Sequence, residues 1–216
     1  TCLPENKLLN VSSKFLEVDL SLVQEALYVM IDSFRLYSQT FDNTSYIYLP
    51  EYAVAEEFIA RRVESILNNN KQLNDITEQE LKLVENKLNI IFDDMQISAV
   101  NCAMRNSLFI LTGGPGTGKT TTLNAIIKIF ENRKLKIELA APTGRAAKRM
   151  TELTGKPSAT IHRLLESEWD EKNSKQFFSR NQKNQLDCDV LIIDEMSMVD
   201  VQLFKALLEA SKLTTR

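Results

Sequence analysis

The chain has 216 residues, 44% hydrophobic and 25% charged, with a formal net charge of −3, which fits one or two globular domains and excludes collagen-like or low-complexity chains. No apolar run approaches the ~20 residues of a membrane span, and no charged-then-apolar leader opens the sequence, so neither anchor nor signal peptide is expected. Three separated cysteines (Cys2, Cys102, Cys188) and a lone His162 argue against a disulfide framework or zinc site and for a reducing, cytoplasmic setting.

The first seventy residues read as a separate small unit. Ser21 and Gln24 have capping-box spacing, and Val23, Leu27 and Met30 mark one face of the helix that would follow. Two alternating runs, 34–39 and 45–49, flank Asp42-Asn43, which is a hairpin signal. Residues 52–67 return to helical period through Tyr52, Ala55, Ile59, Val63 and Ile66. Helices followed by a two-stranded wing suggest a winged-helix-like module. Residues 1–100 carry 16 acidic against 8 basic side chains, so a packing or docking role is preferred to direct reading of DNA.

The polar stretch 68–72 breaks the pattern. Thr77 and Glu80 then open a capped helix with Leu81, Val84, Leu88 and Ile91 on its buried face. A second start at Asp93-Asp94 leads through Gln96, Val100 and Met104.

From residue 107 the period changes, and the charge changes with it. Residues 101–216 hold 18 basic and 13 acidic side chains. Three apolar runs, 107–112, 136–142 and 189–194, each precede a helical pattern, expected at 119–130, 145–154 and 201–211. Buried strands alternating with helices predict an α/β fold with a parallel sheet. Three strands are few for such a core, so the chain reads as a fragment cut within its domain.

All six glycines lie between Gly113 and Gly155, and four of them fall in Gly113–Thr120, GGPGTGKT. This matches the phosphate-binding pattern G-x-x-x-x-G-K-[ST] in full. Glycines allow backbone N–H groups to point inward at a phosphate, and the following helix adds positive potential. Lys119 supplies charge to the β- and γ-phosphates of a nucleotide, and the Thr120 hydroxyl can ligate Mg²⁺. Asp194 and Glu195 end the apolar run 190–193, suited to holding the metal and polarising water respectively. Alone, that pair would read as a strand-end acidic cap. Trp169 and Phe177-Phe178 stand among Lys172, Lys175, Arg180 and Lys183, which fits either a single-strand contact or a solvated insertion with an apolar anchor.

GGPGTGKTTT, APTGRAAKRM, ATIHRLL and DVLIIDEMSMVD, in that order, resemble the motifs of superfamily 1 DNA helicases of the RecD type. LPENKLL, LVQEAL and IYLPEYAVAEEFIARR resemble the region preceding their motor. The resemblance implies a P-loop RecA-like parallel sheet, incomplete after the helix that follows Asp194-Glu195, behind a small α-rich winged-helix-like domain. The corresponding layout is 1–70 for the N-terminal module, 71–92 for a connecting helix and 93–216 for part of the first motor domain.

The resemblance further implies roles for single residues. Gly113, Gly114, Pro115, Gly116, Thr117, Gly118, Lys119, Thr120 and Thr121 would hold the triphosphate. Gln96, seventeen positions before Gly113, would contact adenine; by itself it would read as a plain exposed glutamine. Pro142, Thr143, Gly144 and Arg145, and then Thr160, His162 and Arg163, would contact single-stranded DNA. Each set has a plainer reading, a second anion site or a simple helix cap for the first and a core histidine for the second. The activity implied is ATP-driven 5′-to-3′ movement on single-stranded DNA in recombination or double-strand-break repair, alone or with other subunits of a nuclease–helicase complex. The family's later glutamine and the arginines of its second motor domain have no counterpart in these residues, and the fragment alone is expected to be nearly inactive. Met196 stands where such helicases commonly carry a small residue. The rival reading is a nucleotide-gated P-loop remodeller or switch that does not translocate.

Overall fold

The computed structural model describes residues 2–114, 116–170 and 175–216. By packing, the chain forms two units, Thr1–Ala60 and Arg61–Arg216. The division falls inside a helix, α3 (Pro50–Asn68), which runs without interruption up to the polar stretch at 68–72.

The first unit opens with strand β1 (Cys2–Pro4), helix α1 (Glu5–Leu16) and helix α2 (Leu20–Asp32). Strands β2 (Tyr37–Phe41) and β3 (Thr44–Tyr48) follow, giving an antiparallel sheet of order β1-β3-β2. The turn Asp42-Asn43 has positive φ at both residues (46° and 61°), the geometry that a two-residue hairpin needs to match strand twist. Leu9, Leu27 and Ile47 form the small core, with Val23 and Ile31 packed against it. Tyr48 accompanies them, and its hydroxyl, hydrogen-bonded to Cys2 and desolvated, is pushed up to about 12.

Two expectations for this unit need correction. Ser21 does not cap α2: the helix starts at Leu20 behind Asp19, so Ser21 lies inside its first turn. The first hairpin strand begins at Tyr37 rather than at Phe34, because Phe34 sits at φ 57° and is 87% exposed, which takes it off the strand path.

In the second unit, α4 (Glu78–Leu88) begins with a true capping box, Thr77 and Glu80 each bonding the other's backbone. Glu80 also takes Arg133 Nε at 3.0 Å and Nη2 at 3.1 Å. That fork, with the cap, holds the Glu80 carboxyl down at about 2 against an ordinary value of 4.5. A depressed carboxylate stabilises the fold fully above its unfolded pKa and loses that contribution as pH falls. Glu80→Gln should therefore lower the Tm by about 2–4 °C at neutral pH, and the difference should close between pH 4.5 and 2. Thermal melts across this range check it; a gap that does not change with pH contradicts the pairing.

α4 ends at Asn89, in the left-handed region, so its period stops there. Ile90 then turns into the core and Ile91 is left 90% exposed, which corrects the expected buried Ile91. Helix α5 (Asp94–Arg105) follows, capped by Asp93 with Gln96 as the reciprocal partner.

The parallel sheet consists of β4 (Ile137–Ala141), β5 (Ala159–Thr160) and β8 (Val190–Ile193) in the order β5-β4-β8. Helices α6 (Lys119–Asn132), α7 (Gly144–Thr154) and α9 (Val201–Ala210) alternate with the strands. Ile127 of α6, Leu139 of β4 and Met150 of α7 close one buried layer, with Ile192 of β8 against it. Residues 107–112 do not form the expected strand. Among the described residues they pair with no strand, and Ile110 remains 79% exposed. A four-residue helix α8 (Ile161–Leu164) and a hairpin of β6 (Ser167–Asp170) and β7 (Lys175–Phe178) fill the chain between β5 and β8.

Candidate functional site

The glycine-rich loop passes directly into α6, with Gly118 as its N-cap at φ 76°. Any side chain there would be strained, and a Cβ would fall 2.7 Å from the Gln96 amide nitrogen. Gly118 thus lets the loop lie against α5. The first helical bond of α6 runs from Thr122 N–H to Gly118 O, so the N–H groups of Lys119, Thr120 and Thr121 stand at the helix mouth. Thr117 braces the loop by donating its hydroxyl to Gly114 O at 2.9 Å. The Lys119 ammonium is folded onto the loop, donating to Gly113 O and, at 2.6 Å, to Gly114 O. Pro115 lies outside the described residues.

Gln96 is more than an exposed helical glutamine. Its Oε1 accepts the Asp93 N–H at 3.1 Å, and its Nε2 faces Gly118. The capping box therefore fixes the amide at the edge of the glycine-rich loop.

Asp194 and Glu195, Pro142–Arg145 and Thr160 lie at or just after the carboxyl ends of three neighbouring parallel strands. Registers Ala140↔Ile193 and Ala141↔Thr160 put those ends side by side, the place where open α/β sheets bind ligands. After β8, Asp194 donates its N–H to Ala140 O at 3.0 Å and accepts the Glu195 N–H on Oδ1 at 2.9 Å. Glu195 is exposed, with φ 54°, and its strained backbone turns the chain into the short 3₁₀ turn Met196–Met198.

After β4, Thr143 caps α7, its Oγ1 accepting the Ala146 N–H at 3.2 Å, and Arg145 is exposed in the first turn. A hydroxyl that accepts in a cap still has its own hydrogen to donate to an anion. After β5, Thr160 caps α8 in the same way through the Arg163 N–H at 3.2 Å. His162 is half-buried beside Phe178, and Arg163 lines a cavity of about 360 Å³ with Glu138, Arg180 and Asp187.

Pattern reading missed the β6–β7 hairpin, because a four-residue strand such as Lys175–Phe178 has too little alternation to stand out. Trp169 is 64% and Phe177 44% exposed on it; Lys172 lies outside the described residues. No helix among the described residues is long and apolar enough to cross a membrane.

An AAA-domain family profile matches residues 96–216, more than half of the chain and all of the site. The chain is 35% identical over 164 residues to the ATP-dependent RecD2 DNA helicase of Deinococcus radiodurans, covering 76% of this chain and 22% of that protein. It is also 35% identical over 192 residues to the RecBCD enzyme subunit RecD of Buchnera aphidicola subsp. Schizaphis graminum, covering 79% and 31% respectively. Against the RecD subunit of Haemophilus influenzae the identity is 34% over 148 residues, covering 57% and 22%. The chain thus spans between about a fifth and a third of the length of these relatives.

Proposed function

The chain belongs to the AAA-domain family, among the RecD-like DNA helicases, and on that premise we propose that it forms the nucleotide-binding half of a motor driven along single-stranded DNA by ATP. The observation that carries this reading is the juxtaposition at one sheet edge of the strand-end acids Asp194 and Glu195 with the capped turns at Thr143 and Thr160, in a chain whose phosphate loop opens the helix packed on that sheet.

In this reading Gly113–Thr121 wrap the triphosphate, Lys119 leaving its loop carbonyls for the β- and γ-oxygens. Gln96 meets the base. The Thr120 hydroxyl is exposed at the helix mouth, and Asp194 has one carboxylate oxygen beyond the Glu195 bond. This all-oxygen donor pair suits Mg²⁺, which when bound would offset charge on the phosphate oxygens. Glu195 orients the attacking water. Pro142–Arg145 and Thr160, His162 and Arg163 hold the strand, backbone N–H groups and guanidinium on phosphates and the imidazole on a base.

The finer assignments follow the same premise: 5′-to-3′ travel, a cytoplasmic role in recombination or double-strand-break repair, and association with other subunits of a nuclease–helicase complex. Residues 1–70 act as a winged-helix-like docking module, supported by the helix pair that leads into the β2–β3 hairpin. Residues 71–92 connect it to the motor segment 93–216.

Binding of a fluorescent single-stranded oligonucleotide, followed by anisotropy at several salt concentrations, tests the DNA half. Affinity should fall log-linearly with salt at about −0.7 per phosphate engaged, and Arg145→Gln should flatten the slope by roughly one such increment. A salt-independent or absent interaction contradicts the reading.

A further inference from the structure

His162 sits on a helix too short to hold it. α8 has four residues and one capping bond, and a helix of that length fixes a side chain poorly by itself. Yet the imidazole is half-buried, with its ring centroid 5.9 Å from that of Phe178 and tilted by 54°. Phe178 ends β7 opposite Ser167 and packs against the buried cluster that includes Ile161 and Leu165, on either side of His162 in sequence.

The base of the hairpin is in turn tied to the end of α8. Ser179 N–H donates to Glu166 O at 3.2 Å and Arg180 N–H to Leu165 O at 3.1 Å. Arg180 Nε and Nη2 both reach Glu166 Oε1, at 2.9 and 2.7 Å. Glu166 itself has φ 52°, a backbone angle that a non-glycine residue keeps only where its surroundings hold it there. One edge of the imidazole is thus backed by a ring whose own position is set by backbone bonds.

We propose that Phe178 is a positioning residue for single-strand binding: it holds the His162 ring in the orientation that meets a nucleobase. The inference rests on the proposed role of His162. It adds that the hairpin, through Phe178, prepays the ordering of that ring, so that less is lost when a base arrives.

The test uses the full 216-residue chain and an oligothymidine probe. His162 is the only histidine, so its imidazole proton resonances are unambiguous. Phe178→Leu keeps an apolar group of similar bulk but removes the ring. It should weaken oligonucleotide binding about two- to tenfold, the range of an aromatic pair, and shift the His162 resonances. Phe178→Tyr restores the ring and should recover both. In a His162→Ala background, Phe178→Leu should cost nothing further. Should the leucine variant not fold, Phe178→Met is read the same way.

If His162→Ala weakens binding while Phe178→Leu does not, the positioning role is wrong and the DNA role of His162 survives. If Phe178→Leu costs as much without His162 as with it, Phe178 acts independently and the inference is overturned. If His162→Ala binds as tightly as the wild type, the reading of His162 fails and the inference falls with it.

Discussion

Lys119→Ala should weaken Mg·ATP binding by about a hundredfold or more. Truncating one partner of a charge-assisted contact to a triphosphate removes on the order of 3 kcal/mol. The Lys119 ammonium already stands at the loop, donating to the Gly113 and Gly114 carbonyls. The loop should survive the change, because the Thr117–Gly114 bond and the left-handed Gly118 shape it independently of the lysine. Arginine is a poor substitute: a planar fork does not fit a cradle built around a compact charge. Titration with a fluorescent ATP analogue gives the answer, and an unchanged dissociation constant would remove the phosphate-loop assignment.

ATP turnover by this chain should be slower by about 10³–10⁵ than that of a motor with its transition-state arginines in place, and single-stranded DNA should barely raise it. Charge builds on the γ-phosphoryl oxygens as the bond breaks, and in motors of this type arginines from the facing domain offset it. Five arginines are engaged elsewhere: Arg105 with Asp75, Arg133 with Glu80, Arg180 with Glu166, and Arg62 and Arg216 with backbone carbonyls. Arg145 and Arg163 follow the strand ends assigned to DNA. DNA accelerates such motors by closing two domains around the nucleotide, and the sheet described here belongs to one. Phosphate release measured with and without oligonucleotide checks this. Fast, DNA-stimulated turnover that Glu195→Gln abolishes would show that the chain completes its own site.

The parts of this structure that were legible in sequence are those encoded by a few neighbouring residues. Thr77 with Glu80 starts a helix because the pair satisfies its own backbone, Asp93-Asp94 marks a second start, and Asp42-Asn43 makes its turn because both residues tolerate positive φ. The start of α6 behind the glycines, β4 and β8 are readable for the same reason: glycine spacing and unbroken apolar runs are local signals. What failed needed partners elsewhere in the chain. Residues 107–112 have the composition of a buried strand but pair with no strand among the described residues. Ser21 has the spacing of a cap but lies one residue inside the helix. The second task of Gln96, closing a cap while abutting Gly118, is a contact across 22 residues that no spacing rule encodes. The Phe178–His162 pair is likewise visible only once the hairpin has folded back.

Hydrogen exchange at individual backbone amides, with and without Mg·ATP, tests whether the glycine-rich loop holds a triphosphate. A triphosphate cradled by this loop must accept hydrogen bonds from its N–H groups, which now stand at the mouth of α6. Exchange should slow at the amides within 113–121, with a smaller effect at Asp194 and Glu195, and both effects should be lost in Lys119→Ala. Exchange at 113–121 that ATP leaves unchanged, or protection that appears only elsewhere in the chain, would contradict that role of the loop.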